Sequence, residues 1–463
     1  MEALLEWAKG REWAVQTFVG LSVAALVAGV VRSSTEAGDT AGKKESDVKQ
    51  RAEFLKFQWS YLVVYIVIML ADWLQGTHMY TLYMSYNQSN SNVSVGTLFF
   101  TGFLAAGILG TFTGPLVDKY GRRNACLVYV VLEVIINLLE HVNMMSLLLV
   151  GRVLGGISTS LLFSAFEAWM VTEHRKRGFP EEWIGQTFGH GAVWNGVMAI
   201  AAGFLAQVSA DWFGDIGPFQ LAIALTILAG VLILSWRENY GGGHDETTSG
   251  DSGFSGAWSA VMSNKKLLLV GSVYALFEGA MYTFVFNWVP TLARALGEWG
   301  KMAAVQGLLF SCLMAAISIG GELYNFSFRV APVEVIGVVV FGVAAACMAV
   351  PTYCDLYGCG DNDATFRLVF VAFLGFEMCV GAFQPCIATH RSKYVPDQLQ
   401  STINNLFRFP LNMLVATGTM LSDRFPPYAV FLICAGCHAL ATVCQTILII
   451  AARQDVKVAP KSD

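Results

Sequence analysis

Apolar runs close to 20 residues long, separated by short polar stretches, recur from one end of the chain to the other. That is the length a helix needs to cross the hydrocarbon core of a bilayer. The pattern predicts thirteen spans, at 13–31, 60–83, 97–117, 125–141, 146–170, 186–208, 216–236, 267–289, 303–322, 331–351, 367–387, 403–421 and 428–451. With no water in the core, each segment must satisfy its own backbone polar groups, so helix is expected throughout. The first span is long for the apolar region of a secretory leader, Glu2 and Glu6 precede it, and no clear cleavage site follows. It reads as a retained extra helix before a core of twelve.

Composition agrees with the pattern. The 463 residues are 55% hydrophobic and only 14% charged, with mean hydropathy +0.53, whereas soluble domains carry roughly 25% charged residues. The deficit is spread over the whole length, so the expected class is an all-α polytopic membrane protein. Placing the N-terminus outside puts 21 of the 29 Lys and Arg residues on the cytoplasmic side and 6 on the outer side. That asymmetry fixes the expected orientation. The remaining two, Arg152 and Arg408, lie inside spans. The sequons at Asn87 and Asn92 then face outward and are candidate glycosylation sites, and the one at Asn325 faces inward.

The net charge of −5 changes little. Most of the ten cysteines fall in spans and read as small buried hydrophobes. Cys354 and Cys359 share one outer loop, with a disulfide or two free thiols both open. Cys434 and Cys437 have CxxC spacing but no second pair, so no metal site is read there. No metal-ligand cluster, nucleophile motif or P-loop stands out. An enzyme or a primary pump is therefore not expected, and no cofactor is implied.

The stretch RENYGGGHDETTSGDSGFSGAW divides the core and has the composition of a flexible linker. The expected organisation is an extra helix with its cytoplasmic loop at 1–58, a six-helix half at 59–237, a linker at 238–265, a second six-helix half at 266–452 and a short tail at 453–463. The halves repeat. An offset of 206 aligns GPLVDKYGRR (Gly114 to Arg123) with GGELYNFSFR (Gly320 to Arg329), and Asp72 with Glu278. After a longer outer loop the offset becomes 217, aligning SAFEAWMVTEHRK (from Ser164) with GAFQPCIATHRSK (from Gly381), and Asn195 with Asn412.

GPLVDKYGRR resembles the cytoplasmic loop signature of the major facilitator superfamily, with Gly114, Asp118, Lys119, Gly121, Arg122 and Arg123 filling every defined position. Such a loop can act as a conformational switch, pairing its charges in one state and releasing them in another. ADWLQG (Ala71 to Gly76), GRVLGGISTSLLFSAFEAW (Gly151 to Trp169), FPEEWI (Phe179 to Ile184), ENY (Glu238 to Tyr240) and ALFE (Ala275 to Glu278) are similar to the molybdate-anion transporter family within that superfamily. The resemblance implies a major facilitator fold of two six-helix halves plus the extra helix, anion transport with molybdate as the named substrate, and a midplane site between the halves.

The intramembrane polar residues supply the candidate chemistry. Ser401, Asn404, Arg408 and Asn412 fall on one face of the eleventh core helix, stacking a guanidinium between amides. Arg offers forked donors suited to an oxyanion; a structural pair with Glu377 or Glu167 is the alternative. The repeat-related fifth core helix carries Gln186, Thr187, His190 and Trp194, with His190 either a ligand or a packing histidine. Arg152, Gly156, Ser160, Ser164 and Glu167 form a small, polar stripe on the fourth core helix. Facing lipid would cost such a stripe about 2.5 to 3.5 kcal/mol per charge, so it is expected to face the cavity or the opposing half, unless Glu167 pairs structurally with a neighbouring helix.

Substrate contacts are thus expected from Arg408, Asn404, Asn412, His190 and Arg152. Asp72, Glu278, Glu167 and Glu377 are the candidates for proton coupling, and Glu133 reads as structural. Moving a dianion inward against ~100 mV costs about 4.6 kcal/mol, which more than two co-transported protons would offset. The expected function is a proton-coupled symporter for an inorganic oxyanion, molybdate first. The alternatives are a carrier of sulfate or a small organic anion, and a non-transporting nutrient sensor on the same fold. The expected partners are the oxyanion, protons and the bilayer, with no nucleic acid. A monomer in the plasma membrane is the expected setting.

Overall fold

The computed structural model describes residues 11–36, 45–240, 258–395 and 400–458. The body of the Gly/Ser/acid linker, 241–257, lies outside them, as do the side chains at Ser401, Asn404 and Asp118 and position Gly114. Among the described residues, thirteen helices of 17 residues or more follow one another in the expected order. They are α1 (Glu12–Glu36), α2 (Glu45–Ser89), α3 (Val95–Tyr120), α4 (Arg122–Leu139), α5 (Met145–Lys176), α6 (Glu182–Phe213) and α7 (Gly217–Ile233). The series continues with α8 (Lys265–Leu296), α9 (Gln306–Ser327), α10 (Val333–Tyr357), α11 (Asn362–Tyr394), α12 (Gln400–Arg424) and α13 (Pro427–Val458).

Eight of these hold a window long and apolar enough to cross a membrane, and shorter apolar stretches lie at Val95–Leu109 and Gly217–Ile233. Polar residues keep α4 and α12 out of that set. In α4 they are Arg122, Arg123 and Glu133; in α12 they are Arg408 and the asparagines around it. A disulfide joins Cys354, in the last turn of α10, to Cys359 just beyond the helix end.

The helices form two compact units. The first comprises Met1–His244 with Ala303–Met314, and the second comprises Asp245–Met302 with Ala315–Asp463. Four helix packings recur in both units. In the first, α2 packs on α6 and α7, and α4 on α5 and α7. In the second, the equivalent α8 packs on α12 and α13, and α10 on α11 and α13. The weak sequence repeat is therefore a repeat of packing.

Small residues permit the closest approaches. A Cβ at Gly156 of α5 would meet Ala106 N of α3 at 2.5 Å. In the second unit, Gly320 and Gly381 bring α9 and α11 together in the same way. Association of helices in lipid rests on such close packing, because lipid tails are as apolar as leucine.

Helix α2 extends well beyond its predicted span of 60–83. Its 45 residues make it about 68 Å long, so its first turns project on the cytoplasmic side assigned by the cations. Phe54 and Phe57 there are buried against Trp169, Phe179 and Trp183, and Arg51 lies 5.0 and 4.9 Å from the rings of Phe54 and Trp183. This packing accounts for the FPEEWI stretch. Its Glu181 takes a bidentate pair from Arg175 (2.9 and 3.2 Å), which holds the Glu181 carboxyl below its ordinary range.

Candidate transport site

In the second unit, α8, α11 and α12 bring one polar cluster together. Tyr274 and Glu278 lie one turn apart on α8 and are both mostly buried. Arg408 is an electrostatic neighbour of both the Tyr274 hydroxyl and the Glu278 carboxylate. Gln384 of α11 donates Nε2 to Glu278 Oε1 at 3.3 Å. Two turns along α11, the Arg391 guanidinium stands 5.6 Å from the Tyr274 ring. Arg408 itself is exposed on α12, and Asn412, one turn on, is half-buried.

The acid next to Arg408 is thus Glu278, not Glu377 and not within the sequence alternatives weighed for it. Glu377 is 4% exposed and makes no hydrogen bond or ion pair among the described residues. Gln384 and Arg391 were not singled out as ligands. Their spacing of seven residues, which sets both on one helix face, was the available signal.

In the first unit, Asp72 of α2 is half-buried, with Glu133 as its charged neighbour. Tyr65 lies near both Asp72 and Glu167, and Tyr61 near Glu167. Glu167 and His190 are exposed on their helices. Gly191, the repeat counterpart of Arg408, faces the Tyr65 ring, 3.6 Å from where a Cβ would stand. Beside Asp72, Trp73 donates Nε1 to Asn195 Oδ1 at 2.8 Å.

The stripe on α5 does not serve one surface. Its outer end turns into the unit: Gly156 seats α3, and Arg152 donates to buried Glu140 at 2.6 Å. Its inner end leaves Glu167 exposed. Tyr83 also donates to the same Glu140 oxygen, at 2.8 Å. The charge of Arg152 is therefore already matched by a partner that sequence reasoning did not identify. Glu133 accepts from Gln75 (2.9 Å) and Ser158 (2.5 Å).

The signature loop is tied to the end of the sixth core segment. Gly121, with φ +101°, ends α3 and begins α4. The Glu238 carboxylate accepts from the backbone N–H of Arg123 (2.9 Å) and Asn124 (3.0 Å), capping α4. The Arg122 side chain donates to Thr172 Oγ1 and to Ala168 O of α5, and Arg123 donates to Leu234 O at 3.1 Å. The ENY stretch is thus a helix cap for the loop.

Solved transporters share this architecture. The nucleoside transporter NupG superposes with TM-score 0.63 at 12% identity, over 85% of this chain and 99% of its own. A D-xylose-proton symporter does so with TM-score 0.63 at 13% identity, over 84% and 97%. A family model described as sugar transporters with twelve transmembrane segments matches residues 15–376. The fold is that of the major facilitator superfamily, a class of transporters and not of enzymes.

Closer relatives narrow this. The molybdate-anion transporter of Xenopus laevis is 33% identical over 414 residues, covering 87% of this chain and 88% of its own length. That of Takifugu rubripes is 30% identical over 404 residues, covering 81% of each. The chain belongs to the molybdate-anion transporter family.

Proposed function

We propose that this protein imports molybdate across the plasma membrane, as a monomer, driven by protons. The supporting observation is that Arg408 stands as a charged neighbour of Glu278 and Tyr274 in one cluster. A guanidinium can fork onto two oxygens of an oxyanion, but an ionised Glu278 competes for it. Protonating Glu278 removes that competitor, so a proton and a dianion load together. Coupling is then a difference in affinity between two protonation states.

Asn412 and Asn404 supply neutral donors beside the guanidinium, and Arg391 adds positive potential behind Tyr274. From the first unit, His190 is the proposed second contact and Asp72 the second proton carrier, with Glu167 and Glu377 as further acids in the cycle. Arg152 is occupied by Glu140 and serves the frame of the first unit. The loop from Gly114 through Asp118, Lys119 and Gly121 to Arg122 and Arg123 acts as the switch, latched through Glu238.

Molybdate binding to the purified protein in acidic and alkaline buffer tests the proposal. Wild type should bind more tightly in acid, and Glu278→Gln should bind tightly in both. A Glu278→Gln variant that keeps the wild-type pH dependence would remove Glu278 from the mechanism. The description of the matching family model favours a second reading, a sugar, so a pentose belongs in the same series. Saturable pentose binding without molybdate binding would support that reading instead.

A further inference from the structure

We infer that a water-lined proton path runs through the interior of the first unit, from the outer end of α4 to Asp72. It rests on the proposed proton coupling and adds the route by which the proton arrives. Glu133 and Asn137 of α4 and Glu140, which continues its last turn as the C-cap, follow one another at i, i+4 and i+7, so they share one face. Their exposures are 7%, 0% and 0%. From Glu133 to Glu140 the helix rises about 10 Å.

An acidic stripe alone would say nothing. The second observation is that polar atoms along it lack partners. Asn137 Oδ1, Glu140 Oε2, Arg152 Nε and Asn143 Oδ1 are buried without a hydrogen bond, four of the twelve such side-chain atoms among the described residues. Buried polar atoms are costly to leave unpaired. Where several line one polar seam, ordered water is their usual partner.

The remaining bonds hold the seam in shape. Asn137 donates Nδ2 to Glu133 O at 2.8 Å, and His141 Nδ1 meets Asn137 O at 2.8 Å at the outer end. Gln75, which bonds Glu133, lies one turn from Asp72 on α2. The charged and titratable groups facing Glu133 are Asp72, Tyr129 and Arg152. Those facing Glu140 are Tyr83, Tyr86 and Arg152.

Two carboxylates meet a single guanidinium here, and Asp72 adds a third. A passing hydronium is therefore attracted rather than repelled. A proton taken from the outer medium beside His141 and Asn143 is handed along the waters past Asn137 and Glu133. It ends on an Asp72 carboxylate oxygen, leaving the groups of the seam as they began.

Proteoliposomes separate the two functions, since pH-driven accumulation needs the path and labelled molybdate counterflow at equal pH does not. Asn137→Leu fills the seam without binding water, and should lose accumulation while keeping counterflow. Asn137→Ser keeps the seam polar and should retain both. If Asn137→Leu does not fold, Ser158→Ala, which removes the 2.5 Å bond to Glu133, decides in its place by the same criterion. Retained accumulation in the deciding variant, or loss of counterflow as well in a folded one, would overturn the path. Wild-type uptake indifferent to pH would instead overturn the coupling itself, and the path with it.

Discussion

The junction between α3 and α4 offers a double-mutant cycle whose outcome follows from the geometry. Glu238 accepts two backbone N–H groups in the first turn of α4, at 2.9 and 3.0 Å. Helix caps contribute about 0.5 to 2 kcal/mol, and a negative charge at a helix N-terminus adds roughly 0.3 to 1. Glu238→Ala should therefore cost about 2 kcal/mol. Gly121 sits at φ +101°, where an L side chain costs roughly 1 to 2 kcal/mol. A Cβ there would also stand 2.6 Å from Glu238 Cδ and 2.8 Å from both its oxygens. Gly121→Ala thus adds backbone strain and expels the cap, for about 3 to 4 kcal/mol in total.

Because the cap is already lost in Gly121→Ala, the double variant should cost about 3 to 4 kcal/mol as well, not the 5 to 6 of simple addition. Reversible unfolding of the purified protein in mixed micelles measures all three. Additivity within about 0.5 kcal/mol would show that the two residues do not share the junction.

Arg408→Lys keeps the charge but loses the fork, so it should weaken apparent molybdate affinity at normal protein levels; neutralising Arg408 and Glu278 together should leave a folded, transport-dead protein. Restored uptake in that double variant would make the pair structural. On the outer side, Asn87 lies within α2 with its Nδ2 donating to Val93 O at 2.5 Å, whereas Asn92 is exposed in the following turn. The glycosidase-sensitive gel shift should vanish in Asn92→Gln and persist in Asn87→Gln, and no shift at all in wild type would contradict an outer position for this loop. Gly156→Leu should collapse the amount of protein in the membrane, because the new side chain meets the α3 backbone. Wild-type levels would mean that α3 and α5 are not in close contact.

The helical fold was legible because each span had to carry its own long apolar run, and the paired Asp72 and Glu278 positions betrayed the repeat. The candidate site was legible only in part. Arg408 and Glu278 each stood out as a charge in an apolar run, but their partnership did not, since α8 and α12 are more than a hundred residues apart in the chain. Arg152 looked like a ligand for the same reason that Arg408 did. What separates them is Glu140, which closes on Arg152 only once α4 and α5 pack. Glu238 read as part of a motif without a purpose until the end of α7 met the start of α4. Periodicity assigns a residue to a face of its own helix; it cannot say which neighbour covers that face.

Transport of molybdate is the central claim, and labelled molybdate uptake in cells lacking their own uptake system tests it most directly. Wild type should accumulate molybdate faster as the outer medium is acidified, tungstate should compete more strongly than sulfate, and Arg408→Lys should need more substrate to reach the same rate. Uptake no greater than in cells without the protein, at normal surface levels and across the same range of pH, would contradict the account.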